Sequence, residues 1–354
     1  MAKSKCTVKD LLPALLTCRP FASTKTMVPA MQHFLLWKDS IVATNGHVGI
    51  VYYPQVPLPE ATVPADLFTK IMGSFAEDAV WTIVERDGKV VLTVGKYRGE
   101  FPSYPVDDFP KVTIPKKPVP LSEESVKSFR QLAFCMSTDD TRQNMRGVYF
   151  DGSGVGHATD NRRIAWRATK QSGLKTILIP AYLLERVLGW GEAPTGYALD
   201  PEGKFWLFFS DKSVFSVLPE GAFPDTAKVI KAHEAQAKTW PQFSCERGVL
   251  QAALQRLLFS VEDDPSKPIR LQLSPTSLRL ESTPTGTQTG AGRMVEEVPV
   301  KTVRVKGTPI TALVNGDYFR EAVGFFDEFL LGDTILAGFG EGRKFGVFIS
   351  LLTG

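Results

Sequence analysis

Histidine and cysteine are both scarce in this chain, with four of each in 354 residues. His33, His47, His157 and His233 stand alone: none forms an H-x-x-x-H pair or sits at ligand spacing from a cysteine. Cys6, Cys18, Cys135 and Cys245 are scattered without a C-x-x-C, so they read as reduced cytosolic thiols and not as a metal site or disulfide framework. No G-x-S-x-G, no G-x-x-x-x-G-K-S/T and no dinucleotide fingerprint after a strand is present, which removes the common hydrolase, nucleotide-binding and dehydrogenase classes. Long apolar runs are also missing. The patch Leu11 to Leu16 is broken by Pro13 and preceded by Lys9 and Asp10, too short and too charged at its edge for a signal peptide or membrane span. Nor is there a large excess of one charge: the net is +3, so a basic surface must be local. These absences suggest a cytoplasmic, non-catalytic protein with no cofactor.

What is present is a repeat. Eleven residues from Val63 to Gly73 reappear from Ile179 to Gly189 and from Val314 to Gly324. Each copy opens on a β-branched residue, continues with apolar residues near helical spacing and closes on glycine. Pro64 and Pro180 suit a first helical turn, and the closing glycines predict left-handed helix caps. Three copies mean a repeated module. The offsets agree: Ala43 to Ala158 is 115 residues, Val63 to Ile179 is 116 and Phe109 to Phe223 is 114.

The chain length suits two or three domains, and each module reads as helix, strands, helix, strands. The first has a helix at 8–16, strands at 33–37 and 40–51, the repeated helix from Pro64, and a hairpin at 80–94 around Asp87-Gly88. In the second, Ser122 caps a helix carrying Val126, Phe129, Ala133 and Met136, before strands at 147–150, 156–166, 205–209 and 214–218. In the third, a helix at 245–261 precedes the hairpin 269–280, and the chain ends in a strand at 345–352. The third repeat lies 135 residues after the second, and the extra length falls in Thr283 to Lys306, a longer loop or hairpin. Linker-like stretches at 115–120 and 238–241 give modules 1–117, 118–241 and 242–354. The expected class is α+β, with one antiparallel sheet per module covered by two helices. Asp139-Asp140 and Asp263-Asp264 follow the first helix at corresponding positions, so they read as turn features and not as a nuclease metal site.

The middle module carries a family resemblance. Asp139-Asp-Thr-Arg-Gln-Asn-Met-Arg-Gly-Val-Tyr-Phe150, then Ala158-Thr-Asp-Asn-Arg-Arg-Ile-Ala165 and Phe223-Pro-Asp225, resemble the bacterial sliding clamp, the β subunit of DNA polymerase III. Asn161 and Arg162 replace the Gly-His of that family's pattern, and the chain lacks its usual Pro-x-Arg-Leu ending.

The resemblance implies a ring-forming DNA-clamp fold: a homodimer closed head to tail around duplex DNA, tethering polymerase, clamp loader and repair proteins through short linear motifs. It implies a peptide pocket at Met145, Thr159, Asn161, Arg163, Ile164, Pro224 and Val229. The last strand would contribute Val347 and Ile349, or Phe348 and Ser350 if the register slips by one. DNA contact would be sequence-independent. It would involve Lys25 and Arg142, which align with DNA-touching positions of the family. Helix cations Lys70, Lys127, Arg130, Arg186, Arg256 and Arg320 are further candidates, with solvated helix faces the equal reading. The dimer contact would join Phe109 to Leu258 and Phe259, unless these three are intramodule core. A second class stays open: a clamp-fold scaffold or inhibitor that binds replication factors without encircling DNA.

Overall fold

The computed structural model of the chain describes residues 6–169, 174–284, 292–304 and 310–353, with the backbone alone at 302 and 303. In chain order the elements begin with α1 (Val8–Cys18), β1 (His33–Trp37), β2 (Ser40–Thr44), β3 (Val48–Tyr52), β4 (Ala61–Pro64) and α2 (Ala65–Met72). Then come β5 (Trp81–Arg86), β6 (Lys89–Val94), β7 (Tyr97–Pro102), β8 (Val119–Pro120), α3 (Glu123–Leu132), β9 (Gly147–Phe150), β10 (Val155–Thr159) and β11 (Arg163–Ala168). Next are β12 (Ile177–Pro180), α4 (Ala181–Val187), β13 (Gly196–Leu199), β14 (Lys204–Phe208), β15 (Lys212–Val217), α5 (Thr226–Ala237), β16 (Gln242–Cys245) and α6 (Arg247–Phe259). The last are β17 (Pro268–Leu273), β18 (Ser277–Ser282), β19 (Val295–Arg304), β20 (Ile310–Asn315), α7 (Gly316–Val323), β21 (Glu328–Leu331), β22 (Ile335–Gly340) and β23 (Phe345–Ser350). The class is α+β, as expected. Among the described residues no helix is long and apolar enough to cross a membrane, and no group of three or more His, Cys, Asp or Glu side chains is placed to hold a metal ion.

The chain forms two compact units, Met1–Val126 with Tyr182–Leu218, and Lys127–Ala181 with Pro219–Gly354. The first contains an antiparallel sheet in the order β4-β1-β2-β3-β15-β14-β13-β8 and a smaller sheet β5-β6-β7. The second contains a sheet of twelve strands, β12-β9-β10-β11-β23-β22-β21-β16-β19-β18-β17-β20. One sheet per module is therefore incorrect. Strands far apart in sequence meet at β3–β15 and at β11–β23, which satisfies backbone edges that separate sheets would leave unpaired.

The repeated eleven residues become the end of a strand followed by a helix: β4–α2, β12–α4 and β20–α7. The opening residues Val63, Ile179 and Val314 are fully buried, and so are Phe68, Leu184 and Phe319 five positions on. The third position is always small. A Cβ on Gly316 would stand 2.6 Å from Ile269 and 2.8 Å from Leu258. The closing glycines are not left-handed caps. Gly73 has φ −70° and Gly324 φ −60°, both right-handed, while Gly189 lies inside a tight turn and Gly191 takes the positive φ of 77°. At Gly73 and Gly324 the backbone is tightly approached, since a Cβ would meet the Thr69 carbonyl at 3.3 Å and the Glu321 carbonyl at 3.0 Å, whereas a Cβ on Gly189 would meet nothing within 4 Å.

Several elements escaped the sequence pattern. Helix α5 and strands β7, β13, β21 and β22 were not expected, and the linker-like 115–120 contains β8, paired with β13. Of the expected long loop, 285–291, 305 and 306 lie outside the described residues, and most of the rest is β19. The paired carboxylates do form turns. Asp139 accepts the backbone N–H and hydroxyl of Thr141 at 2.9 and 2.7 Å, and Asp264 does the same for Ser266.

Candidate peptide groove and cationic surface

The groove is built on the β10–β11 hairpin of the second unit. Asp160 shapes its turn: one carboxylate oxygen accepts the N–H of Arg162 at 2.9 Å and of Arg163 at 3.0 Å. The Thr159 hydroxyl donates to the Arg163 carbonyl at 2.8 Å and accepts the Asn161 N–H at 3.1 Å. Asn161 has φ 75°, so the glycine of the family's pattern is replaced by a residue that tolerates the left-handed region. The β2–β3 turn repeats this chemistry. Thr44 donates to Val48, Gly46 donates to Thr44, and Asn45 accepts from His47 and Val48.

Helix α5 forms the facing wall. Its N-cap Asp225 accepts the Lys228 N–H at 3.2 Å, and its first residue, Thr226, lies 3.2 Å from Nδ1 of the buried His157. Burial pushes the His157 imidazole below its ordinary pKa, against the opposing pull of Asp151. Ile230 and Ala237 of α5 pack with Trp166, Phe339 and Phe348 on the sheet. Val229 and His233, one turn apart, line the cleft, and Val229 remains 39% exposed. The resulting hollow of about 280 Å³ includes Thr159, Asn161, Arg163, Ile164, Pro224 and Val229. Six residues expected from the family resemblance thus come together in one place.

Three do not. Val347 and Ile349 are fully buried, because strand alternation turns them to the face opposite Phe348. The hollow is lined instead by Phe348 and Ser350, the alternative register. Met145 is buried and does not line the hollow. Sequence reasoning missed Thr226, His233 and Ile335.

A second hollow of about 290 Å³ shares Arg162 and Ser350 with the first and adds Pro265, Asn315, Tyr318 and Leu351. Arg163 is fixed below it. Its Nε donates to Asp160 at 2.9 Å, its Nη1 pairs with Glu321, and its guanidinium lies 4.2 Å from the Tyr318 ring centroid.

Most candidate DNA contacts are ion-paired within the chain. Lys70 meets Asp66 at 2.6 Å, Lys127 meets Glu341 at 2.8 Å, Arg142 meets Asp139 at 3.2 Å, Arg256 meets Glu296 and Arg320 meets Asp317 at 3.2 Å. Arg186 is half-buried, donating to the Tyr182 carbonyl at 2.8 Å. Lys25 and Arg130 are exposed without an ion pair among the described residues. At the proposed dimer contact, Phe109 is buried against Leu35, Val42 and Val51, and Leu258 is 7% exposed; both are core. Phe259 is 62% exposed and alone of the three presents a free surface.

No family model matches the chain. The beta sliding clamp of Caulobacter vibrioides is 22% identical over 340 residues, spanning 89% of this chain and 88% of that protein. The sliding clamp (DNA polymerase III subunit beta) of Bartonella birtlesii, solved bound to griselimycin, superposes with a TM-score of 0.85 at 18% identity, covering 99% of each chain. The DNA polymerase III subunit beta of Pseudomonas aeruginosa gives 0.81 at 20% identity with the same coverage. The chain has the sliding-clamp fold. The resemblance carried by the residues and the likeness of the whole chain point to the same fold.

Proposed function

We propose that the chain is a sliding clamp, a non-catalytic processivity factor of DNA replication acting in the cytoplasm. Three sequence modules, 1–117, 118–241 and 242–354, would close as a head-to-tail homodimer around duplex DNA. Polymerase, clamp loader and repair proteins would dock through short peptides in the groove of Ile164, Pro224, Val229 and Phe348. The observation that carries this reading is the clamp fold matched over 99% of the chain, combined with an apolar hollow at the turn where the family resemblance expects a peptide pocket. Phe259, with its exposed ring, is the residue proposed for the dimer contact. Retention on nicked circular DNA that is lost on linearising the DNA is the expected result; equal retention on both forms would reject topological tethering.

A second reading has one observation in its favour. Five of the eight candidate DNA cations are held by carboxylates of the same chain, which suits a clamp-fold scaffold that binds replication factors without encircling DNA. Sedimentation separates the two. A stable monomer that is not retained on circular DNA would favour the scaffold.

A further inference from the structure

Arg162 lines both hollows, and its exposed guanidinium has no ion pair or hydrogen bond among the described residues. The neighbouring carboxylates are already engaged. Asp160 holds the turn and Arg163, Glu321 pairs with Arg163, and Asp225 caps α5 at its positive end. Next to Val229 on α5, Lys228 is likewise exposed and without an ion pair among the described residues. Arg162 is therefore a rim cation that no neighbouring carboxylate holds, and apolar side chains flank it on either side: Ile164, Val229 and Phe348 in one hollow, Pro265, Tyr318 and Leu351 in the other.

We propose that the groove selects a partner peptide carrying an acidic side chain beside its apolar anchor, and that Arg162 is the residue that reads this carboxylate. The inference rests on the peptide-pocket reading above. A guanidinium presents two parallel N–H donors that match a carboxylate, and charge-assisted pairs of this kind are stronger than neutral hydrogen bonds. An anchor filling the hollow would exclude water from one side of the pair and strengthen it further. An apolar peptide without the carboxylate would cover Arg162 and leave its charge unmatched, which penalises the wrong partner.

The test uses fluorescein-labelled octapeptides that share a Leu-Phe anchor and carry Asp, Asn or Lys one, two or three positions before it. Fluorescence anisotropy with the full chain should show one position at which Asp binds about tenfold more tightly than Asn, a preference that shrinks as salt rises. Arg162→Ala should reduce this preference to less than about twofold, Arg162→Lys should restore part of it, and Arg162→Glu should make the Lys peptide the preferred ligand. Equal binding of Asp and Asn peptides at all three positions, or a preference that survives Arg162→Ala, overturns the inference and leaves the pocket intact. If no peptide of the series binds, the pocket reading fails and the inference fails with it.

Discussion

Arg163 shows how one side chain ties the groove to the body of its unit. Its guanidinium is buried, paired with Asp160 and Glu321 and packed on Tyr318. Removing one partner of a buried pair is costly because the other charge is left unmatched. Arg163→Ala is therefore expected to destabilise the chain by about 3 kcal/mol in urea titrations; a loss below about 1 kcal/mol would mean that water replaces the guanidinium. Two other groups contribute to the response to acid. The His157 imidazole is held below its ordinary 6.5, so the unfolded chain binds the proton first and stability falls as pH drops below that value. Hydrogen bonds from Arg167 and Lys127 lower the Glu341 carboxyl to about 2 from its usual 4.5. Its contribution is complete above 4.5 and is lost as pH falls towards 2. Urea midpoints should thus decline in two stages; His157→Gln should flatten the upper stage and Glu341→Gln the lower. If neither variant changes the profile, these groups do not govern acid unfolding.

At the scale of elements, the two long-range strand pairings share one device. On β3–β15 the Phe215 ring lies over Gly49 directly opposite, and on β11–β23 the Trp166 ring lies over Gly346. A Cβ would stand 2.3 Å from the ring in the first case and 2.4 Å in the second. Glycine weakens a strand interior, and an aromatic laid across it recovers the lost packing. Gly49→Ala and Gly346→Ala should each cost about 1–3 kcal/mol in urea unfolding, whereas Gly248→Ala, whose Cβ meets nothing within 4 Å, should cost far less. Comparable losses at all three would remove the ring contact as the cause. These pairings also explain what the sequence could and could not reveal. The repeated helices were legible because Val63, Phe68 and their counterparts recur at one spacing and all face the core. Joined sheets were not, since pairing between distant strands leaves no local pattern. The register of β23 depended on its long-range alignment with β11, in which Ile164 lies opposite Phe348. Helix α5 was hidden by its mixed surface: of its residues only Thr226, Ile230 and Ala237 are buried, too few for a clear apolar face.

For the whole molecule, charge is the quantity that separates the two functional readings. With 41 basic and 38 acidic residues the chain has little net attraction for DNA, and the candidate helix cations are largely matched by carboxylates three or four residues away or across neighbouring elements. Counterion release predicts a slope of about −0.9 for each phosphate contact in a plot of log affinity against log salt. If only Lys25 and Arg130 reach phosphates, the slope for linear duplex should be about −2 for one chain and about −4 for two chains engaged together. Engagement of all eight candidates would give about −7 per chain and would require the internal pairs to open. Anisotropy titrations of a labelled linear duplex between 50 and 200 mM salt distinguish these values at roughly the range where such slopes are readable. The shallow slope should fall towards zero in Lys25→Ala with Arg130→Ala, while Arg256→Ala, whose guanidinium is held by Glu296, should leave it unchanged. A slope near −7, or one insensitive to the double substitution, would show that the paired cations are released onto DNA. A shallow slope combined with salt-resistant retention on circles means that enclosure, and not attraction, holds the protein on its template.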